Sequence, residues 1–342
     1  MTAARPSLVR RAARRLAWSL AGLGCHRQAV AMARAADPGG EDEALQRAAR
    51  DWRNAAVVRT RATPAGRAWP KAVEDSFPRC VDEIPELAAS DLTPARLAGA
   101  LQHHGSLLVR GLLDAGTVRT LTDGIDTAFA ARRAHLDRGG PESGWYAPAH
   151  AIQDPELVSA REWLSVHSLL TADAPLFLAR WIGILHDRGI IDLVGAYLGE
   201  TPVLSARKTT LYRVTAEAGS QWHQDGAFLG AQTRTVNLWV SLSDCGVDAP
   251  GLDIVPWRLP EVVETNTRGA YFHWSVGEDL VEDLARGRAV SRPVFRPGDA
   301  VLFDQLCLHR TAVEPDMPNA RYALESWMFA PSTYADQSRL LL

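Results

Sequence analysis

A histidine and an aspartate two residues apart, His223 and Asp225, lie just before a predicted strand. Side chains at this spacing can turn into one pocket and share a metal ion. In a chain with ten histidines, about one such pair is expected by chance. A second copy, His135 and Asp137, falls at the charged end of a predicted helix, and we interpret it as a solvated helix terminus. The first pair therefore needs support from elsewhere in the chain.

That support comes from a later histidine, His309, in the predicted strand 306–313. Period-two alternation puts Cys307, His309 and Thr311 on one face of this strand. Two histidines and one carboxylate form the facial triad that binds Fe(II) in non-haem oxygenases and leaves coordination positions open. Twelve residues further on, Arg321 can offer a forked guanidinium to a carboxylate next to the adjacent strand. This ordered set predicts iron-dependent oxygenation.

The elements that must position these residues change character at Pro202. Before it, the pattern predicts a strand at 106–112 and helices at 114–133, 155–170 and 187–198. After it, the pattern predicts strands at 204–214, 235–242, 252–255, 294–295, 300–303, 306–313 and 321–329. Helices followed by short strands, without strand–helix alternation, predict an α+β fold or a barrel with a helical flank and exclude a doubly wound sheet.

Over residues 100–331 this order of motifs resembles the phytanoyl-CoA dioxygenase family. The resemblance rests on the 223–225 pair, the segment 236–242, the Pro297-Gly298-Asp299 turn, His309 and Arg321. It implies an α+β fold with a mainly β catalytic core, a double-stranded β-helix (a jelly-roll or cupin-like barrel) flanked by helices. It also implies dependence on Fe(II), 2-oxoglutarate and O2.

The resemblance further assigns individual residues. It implies three iron ligands, which are His223, Asp225 and His309. Arg321 would bind the distal carboxylate of 2-oxoglutarate, and Thr311 matches a position that adds a hydroxyl hydrogen bond to it. Trp239 lies in the strand where the family often places a tryptophan near the cosubstrate. The implied reaction is hydroxylation of an unactivated C–H of a small organic substrate, with release of succinate and CO2.

Two other functions stay open from the residues alone. A metal hydrolase could use the same three ligands, but it predicts a nearby general base and has no use for Arg321. A non-catalytic, cupin-like metal-binding protein is the second alternative, although a decayed site usually loses one of these residues. The segment 248–252, Asp-Ala-Pro-Gly-Leu, departs from the common family pattern and leaves the substrate class undetermined.

Three further features are candidates for contact with substrate. Glu325 shares the predicted face of Arg321 and either meets substrate or pairs with a cation. Lys208, one of only two lysines, either contacts a ligand or belongs to a solvated strand face. The long segment 265–291 between the metal ligands is expected to shape substrate choice, as loops at a barrel mouth often do.

Composition excludes several classes of protein. With 342 residues, 46% of them hydrophobic, the chain can bury a sizeable core and is not mainly disordered. A net charge of −3 provides no basic field for nucleic acid, so we expect a small-molecule partner and leave the oligomeric state open. The four cysteines form no CxxC pair, which favours a reduced, cytoplasmic compartment.

Residues 1–75 form a predicted N-terminal extension, rich in alanine and arginine and partly disordered or helical, ahead of an oxygenase domain at 76–342. Between Met1 and Ala36 there are seven arginines and no acidic residue. The apolar stretch 16–23 is shorter than the roughly 20 residues that span a bilayer, so no membrane span is expected.

Overall fold

The computed structural model describes residues 7–58, 69–164, 167–217, 221–230 and 232–342. Its helices are α1 (Leu8–Gly22), α2 (His26–Ala36), α3 (Glu43–Val58), α4 (Pro94–His104), α5 (Ala115–Arg138), α6 (Pro155–Trp163), α7 (Pro175–Asp187), α8 (Ile190–Leu198), α9 (Gly226–Leu229) and α10 (Glu278–Ala285). Its strands are β1 (Glu86–Ala88), β2 (Ser106–Arg110), β3 (Ser168–Leu170), β4 (Val203–Ser205), β5 (Thr210–Val214), β6 (Thr235–Ser241), β7 (Gly251–Ile254), β8 (Ala300–Phe303), β9 (His309–Ala312), β10 (Arg321–Phe329) and β11 (Arg339–Leu341).

The strands form a large sheet and a small one. The large sheet has the order β1-β2-β8-β6-β10-β4-β11, and β5 joins it by pairing with both β10 and β3. The long strand β10 runs antiparallel to β6, β5 and β4 and so lies at the centre of this sheet. The small sheet consists of β7 and β9, and an isolated bridge between His223 and His309 extends it.

Alternate residues of the large sheet face two different apolar layers. One set packs with the flanking helices, and its members include Leu107, Val109, Leu238, Leu302 and Leu324. The other set packs between the sheets, and its members are Leu108, Trp239, Val301, Phe303 and Ala323, together with Leu252 and Ile254 of the small sheet. Period two thus places helices on one side of the large sheet and the small sheet on the other. This is the double-stranded β-helix with a helical flank that the resemblance implied.

Several predicted elements agree closely with the structure. Asp114 caps α5, because its carboxylate accepts a hydrogen bond from the Thr117 N–H at 2.9 Å. The predicted strands 300–303 and 321–329 coincide with β8 and β10. Both strands are almost wholly buried, which gives their sequences the strong apolar signal of sheet interiors.

Several predicted elements are wrong in their extent: 294–295 forms only an isolated bridge at Phe295, 306–313 shortens to β9, and α5 continues to Arg138. The three largest differences concern 155–170, 187–198 and 204–214. The predicted helix 155–170 ends at Trp163, and 168–170 instead pairs with β5 as β3. The predicted helix 187–198 covers the end of α7 and all of α8, which are separated by Gly189 at φ +67°. The predicted strand 204–214 divides into β4 and β5, which pair with separate stretches of β10 and have different second partners, β11 for β4 and β3 for β5. Tertiary pairing overrides local pattern in the first and third cases.

The described part of the N-terminal segment packs against the catalytic core through α3. The Arg50 guanidinium donates to the Ala147 carbonyl at 2.6 Å, and Asn54 donates to the Arg339 carbonyl at 2.9 Å. Both side chains are buried, so these bonds tie α3 to the core and to β11. Over the part of the chain that the structure describes, no helix is long and apolar enough to cross a membrane.

The turn that leads into β8 gives a first testable prediction. Gly298 has φ +96°, and a Cβ there would lie 2.2 Å from the Leu113 carbonyl oxygen. We expect Gly298→Ala to lower the free energy of unfolding by about 2–4 kcal/mol, measured by urea denaturation. Gly139→Ala is the control, because φ is +60° there with no atom within 4 Å of the added Cβ, and it should cost only about 1 kcal/mol. Equal losses in the two variants would contradict a steric role for this turn.

Candidate metal and cosubstrate site

The three predicted iron ligands come together between the two sheets. His223 and His309 exchange backbone hydrogen bonds of 3.0 Å in both directions, and their ring centroids lie 4.4 Å apart. Asp225 lies two residues after His223 and directly before α9. One ligand atom from each of the three side chains lies within 4.8 Å of the others. The pairing of two distant segments therefore brings together residues that are 84 or more positions apart in the chain.

Backbone carbonyls orient both imidazoles. The Nδ1 of His223 lies 2.8 Å from the Gln221 oxygen, and the Nδ1 of His309 lies 3.1 Å from the Cys307 oxygen. Because a carbonyl only accepts, each Nδ1 carries the proton and each Nε2 keeps a lone pair for a metal. Burial lowers the pKa of His223, and burial together with the neighbouring His223 ring lowers that of His309 well below 6.5. Both rings are therefore neutral, which is the form that binds metals.

Asp225 is fully buried, and among the described residues neither of its carboxylate oxygens has a hydrogen-bond partner. Burial raises the pKa of this carboxyl well above its usual 3.8, repulsion from Glu325 raises it further, and the nearby Lys208 ammonium and Asn237 amide lower it only in part. A buried carboxylate without a partner is costly unless a cation compensates it. Two neutral imidazoles and one such carboxylate fit Fe(II) in the facial-triad arrangement.

The residue between the two ligands, Gln224, fixes this segment in place. Its side-chain amide donates to the Leu306 carbonyl at 2.7 Å and accepts from the Val263 N–H at 2.7 Å. The next peptide is held as well, because the Gly226 N–H donates to the Gln305 carbonyl at 2.8 Å. These bonds connect the first two ligands to the segment that leads into β9. The sequence offered no signal for this role of Gln224.

A cavity of about 320 Å³ borders the two histidines, and Arg321, Thr311 and Trp239 line it. The Arg321 side chain is 2% exposed, and its Nη1 donates to the Gly251 carbonyl at 3.0 Å. Its Nε has no acceptor within the described ranges. The Trp239 ring lies 5.3 Å from the Arg321 guanidinium carbon. The arrangement offers an anionic group a buried guanidinium with donors to spare.

Comparison with known proteins decides the family. The sequence matches the phytanoyl-CoA dioxygenase (PhyH) family over residues 101–313, which is more than half of the chain. The chain belongs to the phytanoyl-CoA dioxygenase family. It is therefore a non-haem iron oxygenase that depends on 2-oxoglutarate and uses O2, and the predicted enzyme class and cofactors are confirmed. The matched segment contains His223, Asp225 and His309, whereas Arg321 lies beyond it.

Several solved structures are similar to this phytanoyl-CoA dioxygenase family member. EctD from S. alaskensis with bound Fe is 17% identical, with a TM-score of 0.51, over 70% of this chain and 78% of that chain. AviO1 from Streptomyces viridochromogenes Tue57 is 17% identical, with a TM-score of 0.44, over 70% and 96% of the two chains. The non-heme alpha ketoglutarate dependent carbocyclase SnoK from nogalamycin biosynthesis is 15% identical, with a TM-score of 0.48, over 72% and 87%. No curated protein matches the sequence significantly.

Two charged side chains of this family member lie beside the cavity. The Glu325 carboxylate accepts hydrogen bonds from the Tyr212 hydroxyl at 2.7 Å and from the Asn237 amide at 2.6 Å. Lys208 lies in the turn between β4 and β5, which corrects its placement on a predicted strand. Its ammonium lies over the face of the Phe228 ring, 4.2 Å from the ring centroid, and burial lowers the pKa of Lys208 to about 8. Lys208 therefore does not belong to a solvated strand face.

The sequence contained evidence for some of the other cavity residues of this family member and none for others. Trp327 lies two residues after Glu325 on the same face of β10, so strand alternation could have identified it. His167 also lines the cavity, and no pattern in the sequence indicated it. The segment 265–291 contributes Trp274, whose ring stacks on Phe272 at 4.8 Å. The second His-x-Asp copy lies in the last turn of α5, as interpreted.

Proposed function

We propose that this enzyme hydroxylates an unactivated C–H bond of a small organic substrate, with release of succinate and CO2. The observation that supports the proposal most is the convergence, at one cavity, of a metal-binding trio and a buried guanidinium. An oxygenase needs both features, one for iron and one for the cosubstrate. A hydrolase or a non-catalytic metal-binding protein has no need of the second.

In this proposal the iron ligands are His223, Asp225 and His309. The two imidazoles reach the metal through Nε2, since each Nδ1 is committed to a backbone carbonyl. Asp225 supplies the negative charge. The metal would compensate a buried carboxylate that otherwise destabilises the folded protein. Three protein ligands leave three coordination positions open. The Asp225 carboxylate fills the coordination position that a halide would need. This favours hydroxylation or desaturation over halogenation.

Arg321 binds the distal carboxylate of 2-oxoglutarate in this scheme. The guanidinium is already oriented by its bond to the Gly251 carbonyl, so little side-chain entropy is lost when the cosubstrate binds. Thr311 lies two residues after His309 and lines the same cavity, where its hydroxyl can add a hydrogen bond to that carboxylate. Trp239 borders the space between them and limits how the five-carbon chain can lie.

Iron together with 2-oxoglutarate and O2 supplies an oxidant strong enough to break an unactivated C–H bond. The protein has to orient the substrate and keep water from the reacting carbon. Aromatic rings provide most of the wall: Phe303, Trp274, Trp327 and Tyr212. A cavity of about 320 Å³ lies at the small end of the range for ligand sites, so only a small molecule, or the end of a larger one, fits beside the cosubstrate.

The experiment is a metabolite screen with the protein loaded anaerobically with Fe(II) and 2-oxoglutarate and then exposed to ¹⁸O2. A substrate should increase succinate release and gain one labelled oxygen atom, detected by mass spectrometry. A product that lacks two hydrogens and carries no label would show that the enzyme desaturates its substrate instead of hydroxylating it. Conversion that needs neither 2-oxoglutarate nor O2 would favour the hydrolytic alternative.

Trp274 offers a prediction specific to the substrate side of the cavity. Its ring edge lies against His223, with centroids 5.5 Å apart, so Trp274→Ala should remove a wall near the reacting carbon. We expect the KM for the substrate to rise about tenfold, while the KM for 2-oxoglutarate stays unchanged, measured by succinate release. Tyr271→Ala is the matched control, since Tyr271 is 87% exposed in the same segment and should change neither value. Similar effects of both substitutions would indicate a general disturbance of the segment instead.

A further inference from the structure

Glu325 presents a carboxylate to the cavity at a position that the proposed iron and cosubstrate sites do not use. It stands four residues after Arg321 on the same face of β10, which is about 13 Å along the strand. That separation exceeds the length of a five-carbon diacid. A cosubstrate held by Arg321 therefore leaves Glu325 facing the space that remains for the substrate.

The charge of Glu325 is not compensated by a direct contact. Its two protein partners, the Tyr212 hydroxyl and the Asn237 amide, are neutral donors. Lys208 and Arg321 attract this carboxylate through space, but among the described residues neither forms an ion pair with it. Lys208 stacks instead on the rings of Phe228 and Trp327, at 4.2 and 5.0 Å.

The other charges at the cavity have counterparts under the proposed function. Asp225 would face Fe(II), and Arg321 would face the distal carboxylate of 2-oxoglutarate. Glu325 receives no such partner from either. Its carboxylate is nevertheless held in one orientation, because each oxygen accepts one hydrogen bond and keeps lone pairs for another donor. A preorganised carboxylate with spare acceptor capacity is suited to binding a cation.

The walls around Glu325 favour the same kind of ligand. Tyr212, Trp239, Trp274 and Trp327 line the cavity with it. Arg321 already lies over Tyr212 and Trp239, and Lys208 lies over Trp327, so the ring of Trp274 is the one of the four that no cation of the described residues covers. Aromatic faces attract ammonium groups, and they do so more strongly where water is excluded. We propose that the substrate of this enzyme carries a protonated amine, which Glu325 binds through charge-assisted hydrogen bonds among these rings. The inference rests on the proposed function, because it assigns the substrate class of the same site.

Three probes of matched shape and different charge test this assignment: cyclohexylammonium, cyclohexanol and cyclohexanecarboxylate. Each is titrated calorimetrically into the full-length protein loaded anaerobically with Fe(II) and 2-oxoglutarate. Cyclohexylammonium should bind about 10- to 100-fold more tightly than cyclohexanol, the range expected for hydrogen bonds to a charged group. Glu325→Gln keeps the size of the side chain, and its amide can still bond to both neighbours if the oxygen accepts from Asn237 and the NH2 donates to the Tyr212 hydroxyl. It should abolish this preference while leaving cyclohexanol binding unchanged.

Lys208→Met is the matched control, because it removes the nearby positive charge and keeps a long side chain. It should leave cyclohexylammonium binding unchanged or strengthen it. Three results would overturn the inference: no detectable preference for the ammonium probe, a preference that survives Glu325→Gln, or tighter binding of the carboxylate that Lys208→Met abolishes. The last result would assign an anionic substrate group to Lys208.

Iron content and 2-oxoglutarate binding are measured on the same samples, which separates this inference from the proposed function. If the protein holds both and releases succinate but does not prefer the ammonium probe, the substrate assignment alone fails. If it binds neither iron nor 2-oxoglutarate, the proposed function fails, and the inference that rests on it is overturned as well.

Discussion

Arg321→Ala is expected to raise the KM for 2-oxoglutarate about 100-fold or more, because one partner of a buried, hydrogen-bonded charge pair is lost. The affinity for iron should stay within about threefold of the wild type, since Arg321 is not among the metal-binding trio. The measurement combines succinate release at varied 2-oxoglutarate with an anaerobic Fe(II) titration. The result that identifies the role of Arg321 is a large loss of 2-oxoglutarate affinity without a loss of iron affinity. A loss of activity alone would not identify it.

Arg321 also has a structural contact, so its variants need a control for folding. The guanidinium donates to the Gly251 carbonyl, and this bond is lost in Arg321→Ala. Arg321→Lys keeps the charge but not the planar fork, and it should give an intermediate KM for 2-oxoglutarate. Thermal unfolding of both variants shows whether the barrel persists. A loss of iron binding as large as the loss of 2-oxoglutarate binding would contradict the assigned role.

Asp225→Asn is expected to have opposite effects on the metal-free and the metal-loaded protein. Without metal, the substitution removes a buried charge that lacks a partner, so the free energy of unfolding at pH 7 should rise by about 1–3 kcal/mol. With Fe(II), a ligand charge is lost and the affinity should fall about 100-fold or more. Urea denaturation with a chelator present and an anaerobic iron titration measure the two effects.

The pH dependence of the metal-free protein follows from the same carboxyl group. Its pKa is raised in the folded state, so above pH 3.8 the folded protein binds more protons at this site than the unfolded chain does. The contribution of Asp225 to stability therefore decreases as the pH rises from 3.8 towards the folded pKa. The advantage of Asp225→Asn over the wild type should grow over that same interval and be absent below it.

Asp304 supplies a matched control, since it is equally buried but fully partnered. Its carboxylate accepts from Arg258 at 2.6 and 2.7 Å and from the Tyr197 hydroxyl at 2.9 Å. Asp304→Asn leaves Arg258 without its counter-ion and should lower the free energy of unfolding by about 3–5 kcal/mol. If Asp225→Asn destabilised the metal-free protein in the same way, Asp225 would have a partner that the proposed metal site does not require.

Candidate site residues could be selected from the sequence wherever the chemistry allows only a few residue types. Iron binding needs imidazoles and a carboxylate, so His223, Asp225 and His309 could be selected by type and order along the chain. Arg321 could be placed by strand alternation, because β10 is long, central and coincident with its apolar run. The family and its cofactors followed from the same motifs.

The remaining features depend on pairing between distant segments, which local pattern does not encode. Gln224 bonds to Leu306 across 82 positions, and nothing near it in sequence indicates that contact. Lys208 lies in a turn because β4 and β5 pair with separate stretches of β10 and with different second strands, β11 and β3, although the whole stretch has the composition of one strand. The neutral partners of Glu325 come from two other strands, so its two alternatives could be separated only by the fold.

The most direct test of the central claim is succinate release from 2-oxoglutarate by the protein reconstituted with Fe(II) and ascorbate. We predict one succinate for each 2-oxoglutarate consumed, a requirement for iron and O2, and loss of the reaction in Asp225→Asn. If iron-loaded wild-type protein gave no 2-oxoglutarate turnover, with or without candidate substrates, the assignment of this site as an iron- and 2-oxoglutarate-dependent centre would be contradicted.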